Sequence, residues 1–529
     1  MPSSHSDTKP LTSPPPGDRD LQSALHEYGL EPTPDGRLIR WSSSNQNHPR
    51  NWSLGRKIYD SHMIIFLDLF TYVVELAPSY TSRANWWTNI NYLQSTAADH
   101  AQQEFGIGRT FSIFIFVSLY MIGQAIGGII FPSYSEAFGR KKLYIISAAL
   151  YSIFCVIVGV SPSITGVAFG RLISGFLSAM PTIVVAGSIE DMFNSRDRVW
   201  LIFLWAMVAN IGLCMGPIMS TYITAHLGWR WVFHIAAIVM AVLTMFIFGI
   251  RESRPSLLLV REVVKVRKEC GIESLTALNP DHTPDLKTWA RLALFRPIEL
   301  FFTEPIVCMV ATISAVAFAL IYMFTEALPP VYQSMGFSET SSSLPFLAII
   351  IGLIIGLLTR VQDHRMISKY EKEGSLLEPE HKLLGFCIGA PVFAAGLWWF
   401  AWTIPPLVEK VHWIVPTASL VFIGYSINEF DAVLAGYLAD SYLSFAASGF
   451  AALSLVRSLL SGAFPLFATQ MFDGLGANVA ASVLAAVATV FCIVPPLFSR
   501  YGKKIRARSK FARYSLQVYE ENGVDKNGY

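Results

Sequence analysis

Long apolar runs alternate with short charged stretches along this chain. Twelve runs stand out, over residues 59–77, 111–131, 142–161, 164–188, 199–222, 229–250, 304–325, 341–360, 383–404, 412–434, 445–471 and 478–498. Each is near the ~20 residues a helix needs to cross hydrocarbon. Backbone groups in lipid must bond within their own segment, so runs of this length predict helices rather than strands. The pattern predicts an all-α integral membrane protein with twelve transmembrane helices. The first apolar run is expected to serve as the insertion signal.

Lys and Arg give the orientation, because they gather on the cytosolic side. Arg50, Arg56 and Lys57 precede the first run, Arg140, Lys141 and Lys142 follow the second, and Arg196 and Arg198 follow the fourth. Segment 251–300 is basic, Arg360, Arg365, Lys369 and Lys372 follow the eighth run, and Arg500 to Arg513 form a basic tail. If the runs alternate in direction, all of these share one face. The other face holds chiefly Arg83, Arg109, Arg230 and Lys410. Both termini are therefore expected in the cytosol. Residues 1–50, rich in Ser, Pro, Asp and Asn, read as a disordered tail. Residues 51–250 then form one six-helix bundle, 251–300 a cytosolic linker, 301–500 a second bundle, and 501–529 a basic tail. Two pseudo-symmetric halves of this kind suit a transporter, with its substrate site near the midplane between them.

Composition agrees with the pattern. Of 529 residues 53% are hydrophobic and 15% charged, against about a quarter charged in soluble domains. Five of the six cysteines lie in apolar runs and none forms a C-x-x-C pair, so neither a disulfide framework nor a metal site is read. No G-x-x-x-x-G-K-[ST] phosphate loop occurs. Nothing in a span carries clustered His, D-x-x-D or G-x-S-x-G for catalysis, so an enzyme is not expected.

Three motifs fall in order. Between runs 2 and 3 stands Gly127-Gly128-Ile-Ile-Phe-Pro132-Ser-Tyr-Ser-Glu136-Ala-Phe-Gly139-Arg140-Lys141-Lys142. Inside run 4 lies Gly170-Arg171-Leu-Ile-Ser-Gly175, and inside run 5 Asn210-Ile-Gly212-Leu-Cys-Met-Gly216-Pro217-Ile-Met-Ser220-Thr221. Through these the chain resembles the major facilitator superfamily, and within it the fungal twelve-span drug:proton antiporters. Glu136 replaces the family's Asp, Pro132 its first Gly, Ser174 its Gln, and Ser220 and Thr221 its last two Gly. His48-Pro49-Arg50-Asn51-Trp52-Ser53 and Leu227-Gly228-Trp229-Arg230-Trp231-Val232-Phe233 extend the likeness, as do residues 463–468 and 501–512. The resemblance implies a conformational latch at Glu136, Gly139, Arg140 and Lys141. It links Arg171 to proton transfer, and it marks Gly212, Gly216 and Pro217 as an exporter-type helix. Each motif also has a plainer reading: a positive-inside anchor, an Arg drawn to the cytosolic surface, and simple helix packing. Segment 78–94, with Trp86 and Trp87, departs from the family. It reads equally as an outer headgroup anchor, part of a vestibule, or a gene-model artefact.

Carboxylates inside spans are the natural proton carriers, since a buried acid titrates nearer neutrality. Asp68, mid-span in run 1, is the first candidate, or else a passive acid in a water-filled crevice. Asn428, Glu429 and Asp431 in run 10 occupy successive helical faces, so at least one faces a cavity unless all are solvated near the cytosol. With Asn210 and Arg457 they are the substrate-cavity candidates. Arg457 needs a counter-charge such as Asp440, or holds an anionic substrate. Glu75 and Glu326 are expected at the outer surface, and Glu304 at a helix N-terminus. Trp398, Trp399 and Trp402 face lipid or core, with a minority lining a cavity. The expected function is proton-coupled export of small organic molecules by alternating access. It uses a proton gradient and no cofactor, with polyamine or nutrient transport as the alternative. The expected partners are a small-molecule substrate, protons and the bilayer, with no nucleic acid. The chain is expected to act as a monomer in the plasma membrane, or in the vacuolar membrane.

Overall fold

The computed structural model describes residues 18–33, 38–42, 45–77, 104–271, 275–278, 286–372, 378–408, 411–442 and 446–514. Segment 78–94 lies outside them. The first six spans are α2 (Leu54–Leu76), α3 (Arg109–Phe138, with a π-helical stretch at Phe114–Ser118), α4 (Lys141–Val160), α5 (Ile164–Met192), α6 (Ser195–Leu227) and α7 (Arg230–Ile247). The second six are α10 (Pro305–Ser334), α11 (Phe346–Lys372), α12 (Leu384–Thr403), α13 (Ile414–Tyr442), α14 (Ala446–Leu475) and α15 (Ala477–Phe491). A turn after α15 leads into α16 (Val494–Arg508), with Pro at its start.

Eleven of the described helices are long and apolar enough to cross a membrane by length and composition. The exception is α2, which carries Asp60, Asp68 and Glu75. All three acids are buried against protein, not exposed to lipid, so α2 still holds the place of the first span. Several helices run well past their apolar runs: α5 has 29 residues and α6 has 33. The added residues are more polar, among them Glu190 and Asp191 in α5 and Arg196, Asp197 and Arg198 in α6, so the hydropathy pattern does not detect them.

Helix pairing repeats between the two sets. α3 packs on α5 as α11 packs on α13, α4 on α7 as α12 on α15, and α2 on α6 as α10 on α14. The sets meet through α3 with α14 and through α6 with α11.

The expectation of disorder over residues 1–50 is corrected for residues 18–33 and 38–42. Helix α1 (Asp18–Glu27) leads into an antiparallel hairpin, β1 (Leu30–Pro32) and β2 (Ile39–Trp41). Leu25, Leu30 and Ile39 pack against Leu259, Val263 and Val266 of the linker helix α8 (Pro255–Cys270). Ile39 also exchanges backbone hydrogen bonds of 2.9 Å with Thr276 and Leu278. The apolar stripe of α8 supplies the burial that the polar tail lacks by itself. A second linker helix, α9 (Leu286–Thr303), packs on α3 and α14.

Candidate functional site

The motif between runs 2 and 3 forms where α3 ends and α4 begins. Gly139 has φ +93°, and a side-chain carbon there would stand 2.6 Å from Glu252 Oε2. Only glycine satisfies both conditions. The space admits the Glu252 carboxylate, which accepts the backbone N–H of Arg140 at 2.9 Å and of Lys141 at 3.1 Å. An anion at exposed amides of a helix start is favourable. The Arg140 side chain is buried and pairs with Asp191 of α5 at 3.1 Å, and Arg254 reaches the same carboxylate at 3.5 Å. Glu136 is half-buried within the field of Arg296 on α9. Sequence reasoning missed Asp191, Glu252 and Arg254. Asp191 lies past the apolar run of α5, Glu252 stands among the basic residues of segment 251–300, and Arg254 reads there only as one more positive charge.

A second group sits between the halves. Asp68, Tyr72 and Glu75 are four and three residues apart, so they share one face of α2. Asp68 Oδ2 accepts the Trp205 indole N–H at 2.6 Å, while Oδ1 is buried and makes no hydrogen bond. Glu75 accepts from the Gln124 amide at 2.9 Å and from the Tyr322 hydroxyl of α10. Ser458 of α14 donates to Gln124 at 3.1 Å. Glu75 is thus joined to the second half directly and through one intermediary. The expectation of a surface Glu75 is corrected, as is that of Glu326, whose buried carboxylate pairs with Arg109 of α3 at 3.1 Å. Nearness to a helix end does not reveal that a partner helix covers it.

Arg457 of α14 faces the α2 strip. Its guanidinium lies 4.5 Å from the Phe318 ring centroid, 3.4 Å from Asp431 and 3.4 Å from the Tyr72 hydroxyl. Asp431 replaces the expected counter-charge, since Asp440 pairs with Lys382 instead. Asn210 of α6 lies beside Asp431, and its Oδ1 is buried without a hydrogen bond. Gly212 and Gly216 let α2 approach α6. A side-chain carbon at either would meet the carbonyl of Leu69 or Val73 at 2.5 or 2.7 Å. Pro217 sits one residue on, and its carbonyl accepts from Thr221 at 2.7 Å.

Arg171 is seven residues from the start of α5 and only 1% exposed, so the surface-seeking reading is corrected. It donates to the Phe116 carbonyl at 2.6 and 2.9 Å and lies 4.2 Å over the Tyr120 ring. It also reaches the Glu75 carbonyl at 3.3 Å, which places it behind the α2 strip.

Glu429 stands apart from this group. It pairs with Arg360 at 2.6 Å, and Arg360 also holds Asp363 at 2.7 Å. Neither Asn428 nor Glu429 is solvated: both are fully buried, and Asn428 makes no side-chain hydrogen bond. Glu304 does precede α10, and it accepts from Tyr442 and Ser509 at 3.0 and 2.9 Å. Trp399 and Trp402 are exposed on α12, and Trp398 donates to Thr489 of α15, so none of the three joins the central group.

Known proteins fit this arrangement. The Major Facilitator Superfamily profile matches residues 82–499. A Candida glabrata protein named Multidrug transporter TPO1_2 is 34% identical over 403 residues, covering 76% of this chain and 69% of its own. The efflux pump FUBT of Fusarium oxysporum is 32% identical, covering 77% of this chain and 68% of its own. The xylose transporter XylE from E. coli shares the fold at TM-score 0.55 and 15% identity, over 82% of this chain and 98% of its own. A profile match over most of the chain, together with relatives of this identity and two pseudo-symmetric sets of spans, means that the chain belongs to the major facilitator superfamily of membrane transporters.

Proposed function

We propose that this transporter exports small organic molecules in exchange for protons, by alternating access between its two halves. One observation carries the reading. The α2 strip of Asp68, Tyr72 and Glu75 faces Arg457 and Asp431 across the boundary between halves. Acids placed there can exchange protons while substrate is bound or released, and both events bias one rocking motion. Proton entry supplies ~2.3 kcal/mol per 100 mV and ~1.4 kcal/mol per pH unit. No cofactor is required. The names of the fungal relatives, a multidrug transporter and an efflux pump, support export.

In this reading Asp68 and Glu75 carry protons, and Arg171 fixes the backbone behind Glu75. Arg140, Asp191, Glu252 and Gly139 hold the cytosolic ends together until the halves rock, with Glu136 and Lys141 beside them. Asn210, Asp431 and Arg457 meet substrate, whereas Asn428 and Glu429 act within the second half. The protein works as a monomer in the plasma membrane, with both termini in the cytosol. A second reading, import or export of a polyamine, draws support from the buried acids Asp68 and Glu75 and the half-buried Asp431 around one arginine.

Inside-out vesicles with an acidic lumen test the proposal. Compounds from a chemically diverse panel should accumulate, and a protonophore should abolish the accumulation. Asp68→Asn should cut gradient-driven accumulation at least tenfold while the protein stays inserted. Accumulation that persists without a gradient, or an unaffected Asp68→Asn variant, would remove proton exchange at Asp68. Uptake seen only in right-side-out vesicles would favour import.

A further inference from the structure

Two buried arginines of the second half are held in different ways. Arg360 has carboxylates at 2.6 and 2.7 Å, the distance of a strong charge-assisted hydrogen bond. Arg457 has no contact so short. Its nearest polar partners, Asp431 and the Tyr72 hydroxyl, both stand at 3.4 Å. What holds it closely is the face of Phe318, 4.5 Å from its guanidinium carbon. Tyr72 and Tyr322 pack around that ring, with centroids 6.2 and 6.0 Å away. A ring face with an acid beside it is a receptor for a cation.

The surroundings also hold unused acceptors. Asp68 Oδ1 and Asn210 Oδ1 are buried acceptors with no hydrogen bond. Asp68, Glu75 and Asp431 all act electrostatically on Arg457. Three acids thus converge on one loosely bound guanidinium at the end of a long flexible stem.

We propose that Arg457 is a tethered stand-in for a substrate's cation. It occupies the seat on Phe318 and against Asp431, and a cationic group of the substrate displaces it. This rests on reading the central group as the substrate site. Arg457 then sets specificity by competition: a cation must outbid it for Asp431 and Phe318. Neutral or anionic compounds of the same shape gain nothing from its removal. The guanidinium is an occupant of the site and not a receptor for anions.

Equilibrium binding to the purified full-length chain tests this without any gradient, so the outcome stands or falls separately from proton-coupled export. The probes are tetraphenylphosphonium and tetraphenylborate, which share a shape and differ in sign. Arg457→Gln should bind tetraphenylphosphonium about tenfold more tightly than the unaltered chain, with tetraphenylborate binding unchanged. Adding Phe318→Ala to that variant should reverse the gain. Equal or weaker tetraphenylphosphonium binding by Arg457→Gln would overturn the proposal, as would no saturable binding at all. So would a loss of tetraphenylborate binding, which would make Arg457 an anion receptor. Gel filtration checks that the variant is folded. If Arg457→Gln aggregates, Arg457→Lys replaces it. A lysine stacks less well on the ring, so the gain should be severalfold, and no gain would refute the idea equally.

Discussion

The two halves share a scaffold and differ in chemistry. Their tightest crossings correspond. A side-chain carbon on Gly123 or Gly175, where α3 crosses α5, would lie 2.1 or 2.0 Å from the opposite backbone carbonyl. On Gly352 or Gly424, where α11 crosses α13, the distances are 2.0 and 2.1 Å. Each half also buries an arginine with acids: Arg140 with Asp191 in the first, Arg360 with Glu429 and Asp363 in the second. At the centre the likeness ends. Helix α2 offers Asp68 at the depth where its counterpart α10 offers Phe318, whereas Glu75 and Glu326 stand equally far along the two helices and differ in partner: Glu75 accepts from Gln124 and Tyr322, and Glu326 pairs with Arg109. The crossings must be alike for both bundles to close. The central faces are free to differ, and that asymmetry gives the site both acids and an aromatic seat.

The largest effect that would test this correspondence is at the crossings. Gly175→Leu and Gly424→Leu should each cost more than ~3 kcal/mol through overpacking against backbone. Neither should yield folded protein in membranes by fluorescence-detected gel filtration. Gly436→Ala, with nothing within 4 Å, should be normal. If one crossing tolerated leucine, the halves would not be equivalent at their closest points.

Next come the buried ion groups. Arg140→Ala strands Asp191 and should destabilise by about 3–5 kcal/mol. Arg254 stands 3.5 Å away and offsets part of that loss. Glu429→Gln should cost less, because Arg360 keeps Asp363 at 2.7 Å. Apparent melting temperatures in detergent should fall in that order, and a reversal would make the second half the more dependent on its charges.

The smallest effect separates the two terminal attachments by pH. Burial, with help from Arg50 and Lys57, pushes the His48 imidazole down to about 4. Its neutral Nδ1 accepts the Arg50 N–H at 3.1 Å. An unfolded histidine titrates near ~6.5, so between these values the unfolded segment binds more protons. The stability His48 contributes is complete above the upper value and drains away as pH falls toward the lower. At the other terminus the Lys503 ammonium holds the Glu378 carboxyl below its usual range. That contribution survives until pH falls through the lowered value. Hydrogen exchange at pH 7 and pH 5 should therefore show loosening over residues 18–52 but not over 500–513. Equal protection of both segments at pH 5 would dismiss His48 as the difference.

Most of the scaffold was legible because lipid imposes one rule on every span. The apolar runs locate all twelve helices, and α3 through α7 begin within four residues of the predicted starts. The site was half legible. Asp68, Asp431 and Arg457 stood out as charges in apolar runs. Glu75 did not, although it sits seven residues from Asp68 on the same helical face, because depth was judged from helix ends alone. Trp205 and Phe318 carried no signal among 36 phenylalanines and 13 tryptophans. Only the packing of α2 against α6 and α10 singles them out. The fold of the N-terminal segment was hidden for a related reason: its partner, α8, lies more than 200 residues away.

The acids of α2 have a consequence for biogenesis. On the scale of translocon insertion, an Asp at a helix centre costs ~2.5–3.5 kcal/mol. Asp68 stands near the middle of the 23-residue α2, with Asp60 and Glu75 towards its ends. A nascent chain holding α2 alone therefore partitions poorly into lipid. The groups that make α2 tolerable, among them Gln124 of α3 and Trp205 of α6, leave the ribosome later. The first span made should thus be among the last to settle. The residues that run the transport cycle would be bought with a delay at the translocon.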